Sequence, residues 1–182
     1  MKLITTPIEG LVEIEPAVFG DERGYFFESY NKEKFHEAGL AMDFLQDNQS
    51  KSKAGVLRGL HFQNPPFAQG KLVRVITGAV LDVAVDIRKN SPTYGKYHLV
   101  ELTEENKKMF YIPPGFAHGF LTLRDETIFA YKCTNVYNKE SEGSVRWDDP
   151  EIGIPWDVKD AQLSEKDKVA PFLVELDSKF SI

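Results

Sequence analysis

Gly55-Val56-Leu57-Arg58-Gly59-Leu60-His61-Phe62-Gln63 reads as a β-strand carrying chemistry, and the rest of the chain reads as its surroundings. β-Branched and aromatic residues alternate with polar ones, which suits a pleated surface with one buried face. Strict alternation puts Leu57, Gly59 and His61 on one face and Arg58 on the other. If Arg58 and His61 line one pocket, Gly59 must mark a bulge or twist. Outward from this stretch, Leu11–Ile14, Tyr25–Tyr30, Lys71–Thr77, Val80–Ile87, Tyr97–Thr103, Met109–Ile112, Phe120–Leu123 and Thr127–Thr134 are similar short runs, divided by Gly, Pro, Asn or Asp. Regular short strands predict an all-β sandwich or barrel. Thr77-Gly78-Ala79 predicts a hairpin, Asn90–Gly95 a loop, Asn31–Ala38 one short capped helix, and Ser164–Lys168 a capped helical turn. The stretch after Trp147 reads as loop.

Composition bounds the function. The 182 residues, 42% hydrophobic and 12% aromatic, suffice for one domain with its own core, and no repeat or linker divides them. A net charge of -6, from 28 acidic and 22 basic residues, argues against a nucleic-acid-gripping surface but allows a local basic pocket. The single cysteine, Cys133, among apolar neighbours, reads as a buried bystander in a reducing compartment. No signal peptide or membrane-spanning run is visible, so a soluble cytoplasmic protein is expected.

His61, Lys71 and Tyr131 form the inventory for moving a proton beside a carbonyl and holding the oxyanion that results. Each alone has a plainer reading: a core histidine, a solvated strand-end lysine, a core tyrosine. Their coincidence favours a site. Lys71 shares its face with Val73 and Val75, and Tyr131 shares its own with Phe129 and Cys133. A carboxylate, Asp167 or Asp82, would fix the His61 tautomer. His61 and His118 could supply two imidazoles to a metal, but the position two after His61 is Gln63, and Lys71 would set a cation nearby. No metal and no cofactor is expected.

The motifs Gly55–Gln63, Gly70-Lys-Leu-Val-Arg-Val75, Asp82–Arg88, Ile112-Pro-Pro-Gly-Phe-Ala-His-Gly-Phe120, Tyr131-Lys-Cys-Thr134 and Trp147-Asp-Asp-Pro150 resemble the dTDP-4-dehydrorhamnose 3,5-epimerase family. The resemblance runs in order from Asp21 to Asp167. It implies a cupin-type jelly roll with a few short helices. It also implies isomerisation of a dTDP-sugar at C3 and C5 within dTDP-L-rhamnose biosynthesis, no metal, and a homodimer. By resemblance His61 is the base, Asp167 its partner, Tyr131 the acid on the opposite face of the sugar, and Lys71 the enolate's cation. Arg23, Phe26, Glu28, Gln46, Asp47, Asn48, Arg58, His118, Glu142 and Lys166 match positions holding nucleotide or sugar, and Phe19 is a further stacking candidate. Epimerisation at one carbon, or isomerisation of the ketone in a related dTDP-sugar pathway, is the alternative.

Overall fold

The computed structural model describes all 182 residues, Met1–Ile182. Thirteen strands run in chain order: β1 (Lys2–Thr5), β2 (Val12–Glu15), β3 (Phe19–Asp21), β4 (Gly24–Phe26), β5 (Gln46–Ser52), β6 (Leu57–Gln63), β7 (Lys71–Thr77), β8 (Ala79–Asp86), β9 (Tyr97–Thr103), β10 (Met109–Ile112), β11 (Phe116–Thr122), β12 (Thr127–Cys133) and β13 (Glu142–Ser144). Two short helices join them, α1 (Lys32–Glu37) and α2 (Glu165–Lys168). No helix is long and apolar enough to cross a membrane.

The strands form a six-stranded antiparallel sheet, β1-β2-β10-β7-β12-β5, facing a five-stranded antiparallel one, β13-β6-β11-β8-β9. This is the expected jelly-roll sandwich. Between the sheets lie Val73, Val75, Val80, Leu102, Phe110, Phe120 and Phe129, all contributed by inward-facing alternate positions. Phe110 and Phe129 are fully buried, and each such side chain contributes roughly 1.5–3 kcal/mol. The outer face of the five-stranded sheet is sealed by the C-terminal segment through Val145, Ile152, Trp156 and Leu173. The outer face of the six-stranded sheet carries Leu72 and Met109 under Phe35 of α1 and Leu40.

Several expectations change. The turn at Gly78 is no hairpin, because β7 and β8 belong to different sheets. Gly78 has φ +84°, and a Cβ there would overlap Thr127, so it turns a corner between sheets rather than closing a ladder. Tyr25–Tyr30 is extended only to Phe26, in the small β3–β4 hairpin. β11 starts at Phe116, directly after the Pro113-Pro114-Gly115 turn, and is buried throughout. Polar β5, together with β1 and β13, escapes the hydrophobic pattern altogether. The two helical turns, by contrast, lie where their caps predict: Asn31 accepts from the Lys34 amide and Ser164 from the Asp167 amide.

Candidate active site

A cavity of about 450 Å³ opens between the sheets, and its lining includes Arg58, His61, Lys71, His118, Phe120 and Tyr131. It continues past His61, Lys71 and Tyr131 into a second lobe lined by Gln46, Asn48, Gln63, Gln69, Tyr137 and Glu142. The stacked rings of Phe120 and Phe129, 4.1 Å apart at their centroids, form apolar packing beside it.

The β6 strand achieves what strict alternation forbids. His118 pairs with His61 but Phe120 pairs with Arg58, so one residue of β11, Gly119, opposes two of β6 and a bulge falls at Gly59–Leu60. Leu57, Leu60 and Phe62 then face the C-terminal segment, while Arg58 and His61 both face the cavity. Gly59 permits this: its φ is +124°, and a Cβ would lie 2.5 Å from the Gly119 Cα. The expected grouping of Leu57, Gly59 and His61 on one face is therefore replaced by Arg58 with His61.

His61 Nε2 lies 2.5 Å from Asp167 Oδ1, which resolves the choice between the two candidate aspartates. The chain brings Asp167 there by bridging Gln162 to the start of β6: the Leu57 amide donates to the Gln162 carbonyl and the Gln162 amide to that of Gly55. Ser164 then caps α2, whose third residue is Asp167. Burial pushes the Asp167 carboxyl up, but hydrogen bonds from His61 and Ser164 outweigh it and hold it below the usual carboxylate range. An ionised Asp167 accepting from Nε2–H leaves Nδ1 of a neutral imidazole free as a base.

Asp82 serves the other histidine. His118 Nε2 lies 3.0 Å from each Asp82 oxygen, and both groups are buried. Burial pushes the His118 pKa down and that of Asp82 up, each opposed by the other's charge. The two imidazoles are joined by no further histidine, cysteine or carboxylate placed to complete a metal site. The third position, Gln63, donates to the carbonyls of Phe67 and Val136 and accepts from the Asn138 amide, so its side chain ties loops together.

Lys71 and Tyr131 come from the facing sheet, where their inward parity with Val73, Val75 and Phe129 holds as expected. Burial pushes the Lys71 ammonium below the usual lysine range, with Cys133 and Asp82 opposing. Burial likewise raises the Tyr131 phenol above its usual value, so it stays protonated at neutral pH. Cys133 is fully buried beside them, its thiol pushed up by burial, consistent with an inert packing role.

The other expected residues divide. Gln46 and Asn48 face the cavity from β5, the Gln46 amide donating to Asn48 at 3.1 Å. Glu142 lines the second lobe and pairs with Lys166 at 2.7 Å on its rim. Asp47 points the other way, to Lys132 on the outer face, because successive strand residues alternate. Arg23 is 86% exposed and paired with Asp21, and Phe19 and Phe26 project from the β3–β4 hairpin at 67% exposure each. Glu28 pairs with Lys34 and Asn31. Within one chain these four do not reach the cavity. Sequence reading missed Ser50, Gln162 and Ser164 as lining residues, although the Ser-x-x-Asp capping pattern marked the last.

Residues 5–175 match the family model described as dTDP-4-dehydrorhamnose 3,5-epimerase. A protein of that name from Methanothermobacter thermautotrophicus is 55% identical over 170 residues, covering 92% of this chain and 91% of its own. The crystal structure of a dTDP-6-deoxy-D-glucose-3,5-epimerase from Legionella pneumophila, in complex with dTDP-4-keto-L-rhamnose, superposes with a TM-score of 0.93 at 49% identity, covering 97% of this chain and 94% of that one. A 3'-monoepimerase from Streptomyces bikiniensis, in complex with dTDP-quinovose, superposes at 0.87 with 36% identity, covering 93% and 86%.

Proposed function

The chain belongs to the dTDP-4-dehydrorhamnose 3,5-epimerase family, and from that premise we propose how its cavity inverts C3 and C5 of dTDP-4-dehydro-6-deoxy-D-glucose. The protein is an isomerase of dTDP-L-rhamnose biosynthesis. Its reaction removes a proton next to a ketone and returns one to the opposite face, so no hydride moves and no redox cofactor is needed.

One observation carries the assignment of roles: His61 and Tyr131 enter a single cavity from opposite sheets. His61 Nδ1 takes the proton from C5, with Asp167 stabilising the imidazolium that forms. The electron pair left on carbon moves to the C4 oxygen, and the Lys71 ammonium meets that enolate. The Tyr131 hydroxyl then donates its proton to the carbon from the other side. Solvent takes the proton from His61 and restores the one on Tyr131, and the same cycle acts at C3. Arg58 binds the pyrophosphate, its guanidinium held by the Ser52 hydroxyl at 3.2 and 3.3 Å. His118, held by Asp82, and Gln46, Asn48, Glu142 and Lys166 are the other contacts for sugar and nucleotide.

Arg23, Phe26 and Glu28 fit this reading only in trans. A homodimer supplies the route: the exposed aromatic hairpin of one copy reaches the cavity mouth of the other, and covers its own apolar surface in doing so. A cytoplasmic location fits a sugar-nucleotide substrate.

Inversion at C3 alone is the second reading, favoured by the likeness to the monoepimerase. Proton NMR of the substrate with enzyme in heavy water separates the two. Exchange and inversion at both C3 and C5 is expected; exchange confined to one carbon would make this a single-centre enzyme.

A further inference from the structure

The inner face of β5 presents a row of polar side chains, Gln46, Asn48, Ser50 and Ser52, where a sandwich interior would ordinarily be apolar. Three of the four have partners. Gln46 donates to Asn48, Asn48 lies 3.6 Å from the Cys133 sulfur, and Ser52 accepts from Arg58. Ser50 lines the cavity, yet its hydroxyl is shielded from solvent and has no hydrogen-bond partner. A buried hydroxyl without a partner costs free energy in the free protein, and a ligand that satisfies it recovers that cost on binding. The one other such hydroxyl, on Thr122, is not part of the cavity wall.

Register fixes what Ser50 can meet. Asn48 pairs with Tyr131 and Ser50 with Phe129, so Ser50 stands one inward step, about 6.7 Å, beyond Tyr131. Ser52, a further step on, holds Arg58. On the other side of Tyr131, Lys71 pairs with Cys133, one inward step back. The sheet thus orders Lys71, Tyr131, Ser50 and Arg58 along one line. A substrate with its C4 oxygen at Lys71 and its pyrophosphate at Arg58 passes its anomeric end, with the 2-hydroxyl and the glycosyl phosphate, across Ser50.

We propose that Ser50 is a further substrate-binding residue, its hydroxyl bonding an oxygen at the anomeric end of the sugar nucleotide. This rests on the epimerase reading of the cavity. Because the hydroxyl is unpaired in the free protein, its removal should cost binding without costing stability, the reverse of what a structural serine would do.

The test is Ser50→Ala, which deletes the hydroxyl and leaves no large void, examined by calorimetry with dTDP and with unreactive dTDP-glucose and by thermal unfolding. Affinity for dTDP-glucose should fall on the order of 2- to 12-fold, the range for one neutral hydrogen bond, with an unlowered Tm. A matching loss for dTDP assigns the contact to a phosphate oxygen; a loss for dTDP-glucose alone assigns it to the sugar hydroxyl. Unchanged affinity for both ligands overturns the proposal, whatever happens to Tm. If the unsubstituted protein binds neither ligand, the epimerase reading itself has failed.

Discussion

His61 and Tyr131 belong to different sheets of the sandwich, His61 on β6 of the five-stranded sheet and Tyr131 on β12 of the six-stranded one, yet both line the same cavity. Inversion at carbon needs a proton removed from one face and returned to the other, and two facing walls supply that separation without any moving part. A base and an acid on one strand would instead return the proton to the side it came from.

This separation predicts distinct phenotypes. His61→Ala should abolish both solvent exchange and epimerisation. Tyr131→Phe should still exchange, by return to the original face, while inversion falls by ~10²- to 10⁴-fold, the range for losing a general acid. Deuterium incorporation and product formation followed together check this; loss of exchange in Tyr131→Phe equal to that in His61→Ala would refute the division of labour.

Lys71 should act on the transition state rather than on the ground state. Lys71→Met is expected to lower kcat and kcat/KM together with substrate affinity nearly intact, since full negative charge on the C4 oxygen develops only as the proton leaves. Burial lowers the Lys71 pKa from 10.5 and raises that of Tyr131 from 10.0. If the ammonium is the group lost on the alkaline side, activity should decline as pH rises through its lowered value, and Lys71→Arg should move that limb upward. A rise in KM alone would make Lys71 a binding residue.

Sequence was legible where the fold buries apolar rows and illegible where a cavity interrupts them. Val73, Val75, Phe129 and the strands carrying them follow from alternation, and the caps at Asn31 and Ser164 from side-chain type. β5 gives no strand signal because its inward residues are Gln46, Asn48, Ser50 and Ser52: this edge strand faces a cavity, not a core. Gly59 was recognisable as a place where register could slip, but only the pairing with β11 shows that it brings Arg58 to the side of His61. Gly78 misled for a similar reason, since a turn glycine does not reveal whether the strands it joins share a sheet. Asp47 and Asn48 look equivalent in sequence, and the pleat alone separates them.

The link from Ser164 through Asp167 to His61 predicts graded losses. Asp167→Asn should reduce kcat by ~10²- to 10⁴-fold with a small effect on KM, because imidazole orientation and charge stabilisation go while the cavity remains. Since the folded Asp167 pKa is depressed, its stabilising contribution is present above the unfolded value near 3.9 and lost as pH falls through the folded one; Asp167→Asn should flatten stability against pH below about pH 4. Ser164→Ala removes the cap of α2 and should lower kcat less, with Ser164→Thr restoring it. Equal activities in the Ala and Thr variants would remove Ser164 from this chain of support.

Chelation should leave the rate unchanged. Gln63 spends its amide on three backbone groups, no group of three or more His, Cys, Asp or Glu side chains is arranged to hold an ion, and Lys71 would bring a positive charge to any ion beside His61 and His118. Exhaustive treatment with EDTA followed by assay and metal analysis checks this; stoichiometric metal in active protein, with activity lost on its removal and regained on its return, would contradict the mechanism.

The last prediction concerns residues that one chain holds away from its own cavity. Arg23 and Phe26 lie on the exposed β3–β4 hairpin, which is anchored near its own six-stranded sheet by the Lys107 ammonium 4.1 Å over the Tyr25 ring. If they bind nucleotide across a homodimer, the Arg23→Ala, Phe26→Ala double variant should lose substrate affinity although its own His61, Lys71 and Tyr131 are untouched. Mixing it with inactive His61→Ala protein, under conditions that exchange subunits, should restore activity. In a statistical mixture half the dimers are mixed, and each contains one cavity with an intact base and an intact visiting hairpin, so about a quarter of all sites should recover. Sedimentation confirms the dimer and the assay reports the recovery. A monomer in solution, or mixed dimers no more active than their parents, would show that the hairpin does not serve the neighbouring cavity.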